Sequence, residues 1–180
     1  FKTGTSSVQR ALWSAVENPG VGVYYPKSGL LMSEPDVGFR HSLLCYLYKD
    51  KRTMWRNIVN DLLVEIGTVP EGTPVILSAE GWANVATHDG LRELVSVLRA
   101  NHFDEIECTC YLRNRGKYAV SLYREFSRRR SNIMPFEDYS AKNKRLLNFA
   151  LLAKSLNEIF MENVNYRVYD RTRDIVSDFF

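Results

Sequence analysis

The amino-acid sequence predicts an α/β protein with three layers, in which a mainly parallel β-sheet is flanked by helices on both faces. Short apolar segments of strand length alternate along the chain with amphipathic segments of helical period. This alternation is typical of parallel sheets, because each strand-to-strand crossover brings a helix onto a face of the sheet. The length of 180 residues suits a single domain, over 1–180, with a substantial core.

In the first part of the chain, apolar periodicity and turn residues define the predicted elements. Val8, Leu12 and Val16 recur at helical spacing, and Asn18-Pro19-Gly20 ends that helix. The segment from 27 to 38 is rich in Gly, Ser, Pro and Asp, which is typical of a loop. The predicted elements are a helix over 6–17, a strand over 21–25, a helix beginning at His41, a helix over 53–66, a strand over 73–78 and a helix over 89–100.

In the second part of the chain, the clearest signal is alternation in a strand. Ile106, Cys108 and Cys110 are separated by polar residues, so they are expected to share one face. Gly116 precedes an amphipathic segment. The predicted elements are a strand over 103–112, a helix over 117–129, a long helix over 140–161, a strand over 165–169 and a helix over 174–180.

The composition restricts the class of protein. Hydrophobic residues make up 45% of the chain and charged residues 25%, as in ordinary soluble domains. The formal net charge of +3 is too small to indicate a nucleic-acid partner, although it suits a small polyanionic ligand. No apolar run reaches the roughly 18 residues of a membrane span. Cys45, Cys108 and Cys110 lack a scaffold spacing, so buried free thiols are expected.

The first seven residues form a candidate anion-binding loop. Lys2 brings a full positive charge, Gly4 allows close approach of the backbone, and Thr3, Thr5, Ser6 and Ser7 bring hydroxyl donors. A helix follows at once, and a helix N-terminus attracts anions through its free N–H groups and its dipole. The loop is not a Walker A motif, because the lysine precedes the glycine. An ordinary helix capped by Thr5 or Ser6 is the alternative interpretation.

This stretch, KTGTSS followed by Val-Gln, resembles the 5′-phosphosulfate loop of sulfotransferases, and it is most similar to a bacterial group with the pattern HKTGT[ST]S[IV]Q. The resemblance implies a P-loop-NTPase-like sulfotransferase fold. It also implies that Lys2, Thr3, Gly4, Thr5, Ser6 and Ser7 bind the phosphosulfate of 3′-phosphoadenosine 5′-phosphosulfate (PAPS). The family's loop follows a buried strand, whereas only Phe1 precedes it here, and the family continues beyond Phe180. A domain truncated at both ends is therefore expected.

A second motif follows the predicted strand over 103–112. Arg113 offers a planar set of donors that suits phosphate, and Ser121 adds a neutral donor eight residues later. The stretch resembles the 3′-phosphate motif of sulfotransferases, R-N-x-x-D-x-x-x-S-x-Y, with Lys117 in place of the family's acid. The resemblance implies that Arg113 and Ser121 hold the 3′-phosphate of PAPS. A solvated arginine at a strand end is the alternative.

Two residues are candidates for the base that takes the proton of an acceptor hydroxyl. Glu80 follows a buried strand directly, in a Ser-x-Glu stretch that resembles the bacterial group. His41 lies at a helix start where the family often carries a histidine. A helix-start acid and a structural histidine are the respective alternatives. His88 and His102 are expected at the surface. Neither these residues nor the acids have metal-ligand spacing, so no metal is expected.

The favoured hypothesis is a PAPS-dependent sulfotransferase with Lys2, Glu80 and His41 as catalytic candidates and a carbohydrate or similar hydroxyl compound as acceptor. The alternatives are a P-loop nucleotide or phosphate kinase and a non-catalytic relative that binds a nucleotide or glycan. A bacterial cytoplasmic location is expected, and a Golgi-type lumen stays open. The basic run Arg128-Arg129-Arg130 is either a solvated helix end or an attractor for an anionic glycan acceptor.

Overall fold

The sheet is small and parallel. A computed structural model describes the residues 5–17, 22–31, 39–130, 134–171 and 174–180. Strand β1 (Cys108–Leu112) pairs in parallel with strand β2 (Val164–Val168), and Cys110 lies opposite Tyr166. The predicted parallel pairing of strands is therefore confirmed for β1 and β2.

A second parallel contact joins the two earlier segments that the sequence predicts as strands. Tyr24 forms an isolated parallel bridge with Val75, in which the Tyr24 N–H donates to the Pro74 carbonyl at 2.8 Å and the Ile76 N–H donates to the Tyr24 carbonyl at 2.9 Å. The predicted strands over 21–25 and 73–78 were therefore too long, because pairing in the described segments is limited to this bridge. Pro74 itself has no N–H to donate to a ladder.

Helices form most of the regular structure, and their bounds agree with the predictions for the first part of the chain to within two residues. The helices are α1 (Thr5–Glu17), α2 (Ser42–Asp50), α3 (Arg52–Ile66), α4 (His88–Ala100), α5 (Arg115–Arg130), α6 (Phe136–Lys142), α7 (Phe149–Phe160) and α8 (Ile175–Phe179). Short 3₁₀ turns follow at Glu80–Ala83, Val85–Thr87 and Tyr169–Arg171. The α/β class is confirmed at this level.

The predicted long helix over 140–161 is wrong, because two asparagines interrupt it. The Asn143 side chain donates to the Tyr139 carbonyl at 2.8 Å, at the C-terminal end of α6. The Asn148 side chain accepts the Leu151 N–H at 3.0 Å and caps the start of α7. Asparagine competes in this way for backbone groups that would otherwise continue the helix.

Helices cover both faces of the β1–β2 pair. Cys108 and Cys110 pack against the cluster formed by α4 and α7, so their predicted common face is confirmed. Tyr111, the next residue along β1, packs on the opposite side against the cluster that contains Val8 of α1 and Ile175 of α8. The alternation of side chains along β1 therefore separates these two helical layers.

Helices also cover both sides of segment 73–78, because its side chains alternate between the two sides. Val75 and Leu77 pack against the cluster that α2, α3 and α4 share, where Trp55 is fully buried. Ile76 packs against the cluster of α1 and α8. The C-terminal end of this segment and the C-terminal end of β1 thus border the same α1 cluster.

Glu65 of α3 fixes the connection after Tyr24. Its carboxylate accepts hydrogen bonds from the Tyr24 hydroxyl at 3.0 Å, the Lys27 N–H at 2.7 Å and the Ser28 N–H at 2.8 Å. These backbone and side-chain donors hold the pKa of Glu65 below its usual value, against the opposing effect of burial. The ionised carboxylate is therefore part of the folded structure at neutral pH.

Glu65→Gln is expected to lower the free energy of unfolding by about 1.5–3 kcal/mol at pH 7, because an amide NH₂ then faces N–H donors. Urea denaturation measures the loss. The contribution is present above the unfolded-state pKa and disappears as pH falls through the lower folded-state pKa. Asp61→Asn, at an exposed position of the same helix, is the control and should change stability little. Equal losses in both variants would contradict this role of Glu65.

Candidate functional site

The predicted phosphosulfate loop precedes α1, and only its last part belongs to the described residues. Lys2, Thr3 and Gly4 lie outside them, whereas α1 begins at Thr5, one residue before the predicted start. Ser6 and Ser7 are exposed in the first turn of α1. The start of a 13-residue helix therefore presents two hydroxyl side chains to solvent, which is compatible with anion binding at its N–H groups.

Gln9 anchors this helix start to segment 73–78. The Gln9 side chain is 1% exposed, and its Nε2 donates to the Ser78 hydroxyl at 3.0 Å. The buried Oε1 atom of Gln9 accepts no hydrogen bond from the described part of the chain. The first turns of α1 are thus held next to the C-terminal end of the segment that leads into Glu80.

Glu80 begins the 3₁₀ turn Glu80–Ala83 and lies within an ion pair. Its Oε2 atom is 3.2 Å from Nη1 of Arg40, and the two side chains are only 14% and 20% exposed, respectively. Arg40 is itself fixed by an antiparallel bridge to Leu31. Arg40 therefore restricts where the carboxylate of Glu80 can point.

His41 is fully buried, and the backbone engages both nitrogens of its ring. Nε2 lies 3.0 Å from the Pro26 carbonyl, and the Ser78 N–H donates to Nδ1 at 3.1 Å. These contacts require the neutral tautomer protonated on Nε2. Burial lowers the pKa of His41 to about 4 despite the two backbone contacts. Because its ring joins residues 26 and 78, His41 has a structural role, and Glu80 stays the candidate for a base.

The free energy of unfolding is expected to fall by about 3 kcal/mol as pH decreases from about 6.5 to about 4. In this range His41 becomes protonated in the unfolded chain and stays neutral in the folded chain. Urea denaturation across this range measures the slope. His41→Gln should flatten it, since glutamine does not titrate, whereas His102→Gln, at an exposed position, should leave it unchanged. An unaltered slope in His41→Gln would contradict the assignment. His88, whose pKa is also lowered by burial, is present in every variant.

Arg113 follows β1 and faces the carboxylate of Asp170. Its Nε atom is 3.8 Å from Asp170 Oδ1, and its guanidinium lies 5.6 Å from the centre of the Tyr169 ring. Asp170 also accepts the Asn114 N–H at 2.6 Å and the Lys117 ammonium at 3.2 Å. The hydrogen bond from the Asn114 backbone, followed by that from Lys117, lowers the pKa of Asp170. The acid that pairs with Lys117 thus comes from the turn after β2.

A small cavity joins the Glu80 turn to the Arg113 motif. It has a volume of about 20 Å³ and is lined by Ala83, Cys110, Tyr111, Leu112, Arg113, Tyr118, Leu146, Phe149 and Leu152. Tyr118, in the first turns of α5, is buried, and burial above all raises its pKa, with the negative charge of Glu80 adding to the effect. Ser121 is half-buried on the next turn of α5. Ala83 and Arg113 therefore border one cavity, although they are 30 residues apart in sequence.

The prediction that His88 lies at the surface was wrong, whereas His102 is exposed as predicted. His88 is 2% exposed, its Nδ1 lies 2.6 Å from the Ser155 hydroxyl and its Nε2 lies 2.8 Å from the Trp82 carbonyl. It joins α4, α7 and the Glu80 turn. No local pattern indicates this contact, because Ser155 is 67 residues away.

Within the described ranges, no group of three or more His, Cys, Asp and Glu side chains could hold a metal ion. None of the helices there has the length and hydropathy that a membrane span requires.

Sequence reasoning missed the two partners of the candidate site, Arg40 and Asp170. Arg40 directly precedes His41, and Asp170 comes two residues after β2. The rule that ligands bind at the carboxyl ends of parallel strands could have indicated Asp170. Nothing in the local sequence indicates the pairing of Arg40 with Glu80, which are 40 residues apart.

A scan against protein-family models found no match to the chain, and searches among curated proteins and solved structures found none either. Function is therefore inferred from the residues of the site and their geometry.

Proposed function

We propose that this protein is a PAPS-dependent sulfotransferase with a P-loop-like sulfotransferase fold, acting on a hydroxyl of a carbohydrate or similar acceptor. One observation carries the proposal: two candidate anion-binding motifs, the loop before α1 and the Arg113–Ser121 pair, flank elements that border the same cluster. Val8 of α1 belongs to this cluster, and Tyr111 of β1 packs against it. Anionic nucleotides bind at such strand ends in α/β proteins.

The two motifs have complementary roles in this proposal. The loop of Lys2, Thr3, Gly4, Thr5, Ser6 and Ser7 binds the 5′-phosphosulfate, with the dipole of α1 behind it. Arg113 and Ser121 bind the 3′-phosphate. Asp170 contacts both Lys117 and Arg113. Its carboxylate therefore orients the Arg113 guanidinium, which supports this assignment.

The transfer moves a sulfuryl group between two oxygen atoms. An acceptor oxygen forms the new bond to sulfur while the bond from sulfur to the 5′-phosphate oxygen breaks and leaves its electron pair on the phosphate. Glu80 takes the proton of the acceptor hydroxyl. The ion pair with Arg40 holds the Glu80 carboxylate in one position, which a general base needs.

Arg113→Ala is expected to weaken PAPS binding by about 1.5–3 kcal/mol, or roughly 10- to 150-fold, the scale of a hydrogen bond to a charged group. Isothermal titration with PAPS and with adenosine 5′-phosphosulfate, which lacks the 3′-phosphate, measures the effect. The variant should lose its preference for PAPS. Arg115→Ala, at an exposed position two residues later in the sequence, is the matched control. Unchanged discrimination in Arg113→Ala would refute the assignment.

The same titration, together with a turnover assay, separates the alternatives. A sulfotransferase should bind PAPS more tightly than ATP with Mg²⁺, and a P-loop kinase should show the reverse order. A non-catalytic relative would bind PAPS or a glycan and show no turnover with any hydroxyl acceptor.

A further inference from the structure

Positive charge is concentrated in one segment of the chain. Residues 113–145 contain 10 of the 24 basic residues and 3 of the 21 acidic ones, which gives a charge of +7. The rest of the chain holds 14 basic and 18 acidic residues, so it carries −4. The modest net charge of +3 therefore hides a strong asymmetry, and such fields attract oppositely charged partners.

The same segment has a hydrophobic cluster of its own. Tyr118 and Leu122 of α5 are buried together with Tyr139 of α6 and Leu147. The remaining aromatic side chains of the segment pack there too: the ring of Tyr123 lies 5.3 Å from Phe136, and that of Phe126 lies 5.0 Å from Tyr139. The aromatic rings of this segment are therefore engaged with one another.

The opposite side of α5 is basic. Lys117, Arg124 and Arg128 are exposed, and their separations of seven and four residues place them along one face of the helix. Arg124 and Arg128 repel each other at this spacing, which costs helix stability. Among the ion pairs of the described residues, none offsets these two charges. The repulsion between these two arginines does not stabilise the fold, whereas an anionic partner would compensate for their charges.

We propose that this basic face, defined by Lys117, Arg124 and Arg128, binds an anionic polysaccharide. The inference that this polysaccharide is the sulfuryl acceptor rests on the proposed function. The inference that the face binds a polysaccharide does not depend on it. Guanidinium groups form paired hydrogen bonds with sulfate and carboxylate groups, which supplies the affinity. Single-stranded nucleic acid is disfavoured, because its binding uses exposed aromatic rings for stacking and the rings here pack inward.

The position of the face suits an acceptor. It begins at Lys117, whose ammonium contacts Asp170 at 3.2 Å, beside Arg113. A chain lying along α5 would therefore have one end near the candidate nucleotide site. Such a contact increases the local concentration of acceptor hydroxyls.

Fluorescence anisotropy with a labelled heparin oligosaccharide, without nucleotide, tests the site. Arg124→Gln/Arg128→Gln should weaken binding roughly three- to tenfold, as expected for two exposed charge contacts. Lys49→Gln/Arg56→Gln removes the same total charge from exposed positions of α2 and α3, and it should weaken binding by less than about twofold. Neutral dextran should not bind.

Equal losses in the two double variants would overturn the proposal, because net charge alone would then explain binding. Comparable affinity for a single-stranded oligonucleotide of equal charge would also overturn it, in favour of a nucleic-acid partner. Titration with PAPS distinguishes this result from the proposed function: the Arg124/Arg128 variant should keep its PAPS affinity. If the protein bound heparin through α5 but did not bind PAPS, the polysaccharide site would be supported and the sulfotransferase assignment would be refuted.

Discussion

Glu80→Gln is expected to lower PAPS turnover by about 10²–10⁴-fold, the usual contribution of a general base, while the affinity for PAPS changes little. Glutamine has nearly the shape of glutamate, and its carbonyl can still accept a hydrogen bond from Arg40. What it loses is the ability to take the acceptor proton. Turnover is measured as release of 3′-phosphoadenosine 5′-phosphate, and nucleotide affinity by titration of the same variant.

Glu93 provides a matched control, because it is another partly buried glutamate paired with an arginine. Its carboxylate contacts Arg52 and accepts the Tyr48 hydroxyl at 2.9 Å, away from the candidate site. Glu93→Gln should cost stability but leave turnover per folded molecule unchanged. Full activity in Glu80→Gln together with loss of activity in His41→Gln, corrected for the folded fraction, would make His41 the base instead.

The helices were predictable because their signals are local. In α4, Leu91, Leu94, Val95 and Leu98 recur at helical spacing, and all four are buried. The break between α6 and α7 was missed because it depends on asparagine side chains that bind the backbone, as Asn143 and Asn148 do, rather than on Gly or Pro.

Strand extents could not be predicted, because a strand requires a partner. Segment 73–78 is as apolar as β1, yet its pairing among the described residues is the single bridge from Val75 to Tyr24. The pattern establishes that a segment is extended and buried, and only the tertiary arrangement decides how much of it forms a ladder.

The residues of the candidate site could be proposed from residue types, whereas their partners could not. Glu80 and Arg113 could be named from their positions after apolar segments. Their ion pairs with Arg40 and Asp170 join residues 40 and 57 positions apart, which no local pattern encodes. The same limit applies to His41, because its structural role depends on hydrogen bonds between its ring and the backbone of Pro26 and Ser78, which the sequence does not indicate.

Lys2→Ala is expected to lower kcat by about 10²–10³-fold, comparable to the loss of one oxyanion-hole donor. Negative charge develops on the 5′-phosphate oxygen as the bond to sulfur breaks, and in the proposed mechanism the ammonium of Lys2 stabilises that charge together with the N–H groups of α1. Lys49→Ala, which removes an exposed lysine of α2, is the control and should retain full activity. Both variants are assayed for PAPS turnover with and without excess EDTA. In the proposed mechanism Lys2 and the N–H groups of α1 stabilise this negative charge without a metal ion. EDTA should therefore leave wild-type turnover unchanged. Turnover that vanishes with EDTA would show that a metal ion stabilises the leaving phosphate, and retained kcat in Lys2→Ala would remove Lys2 from the mechanism.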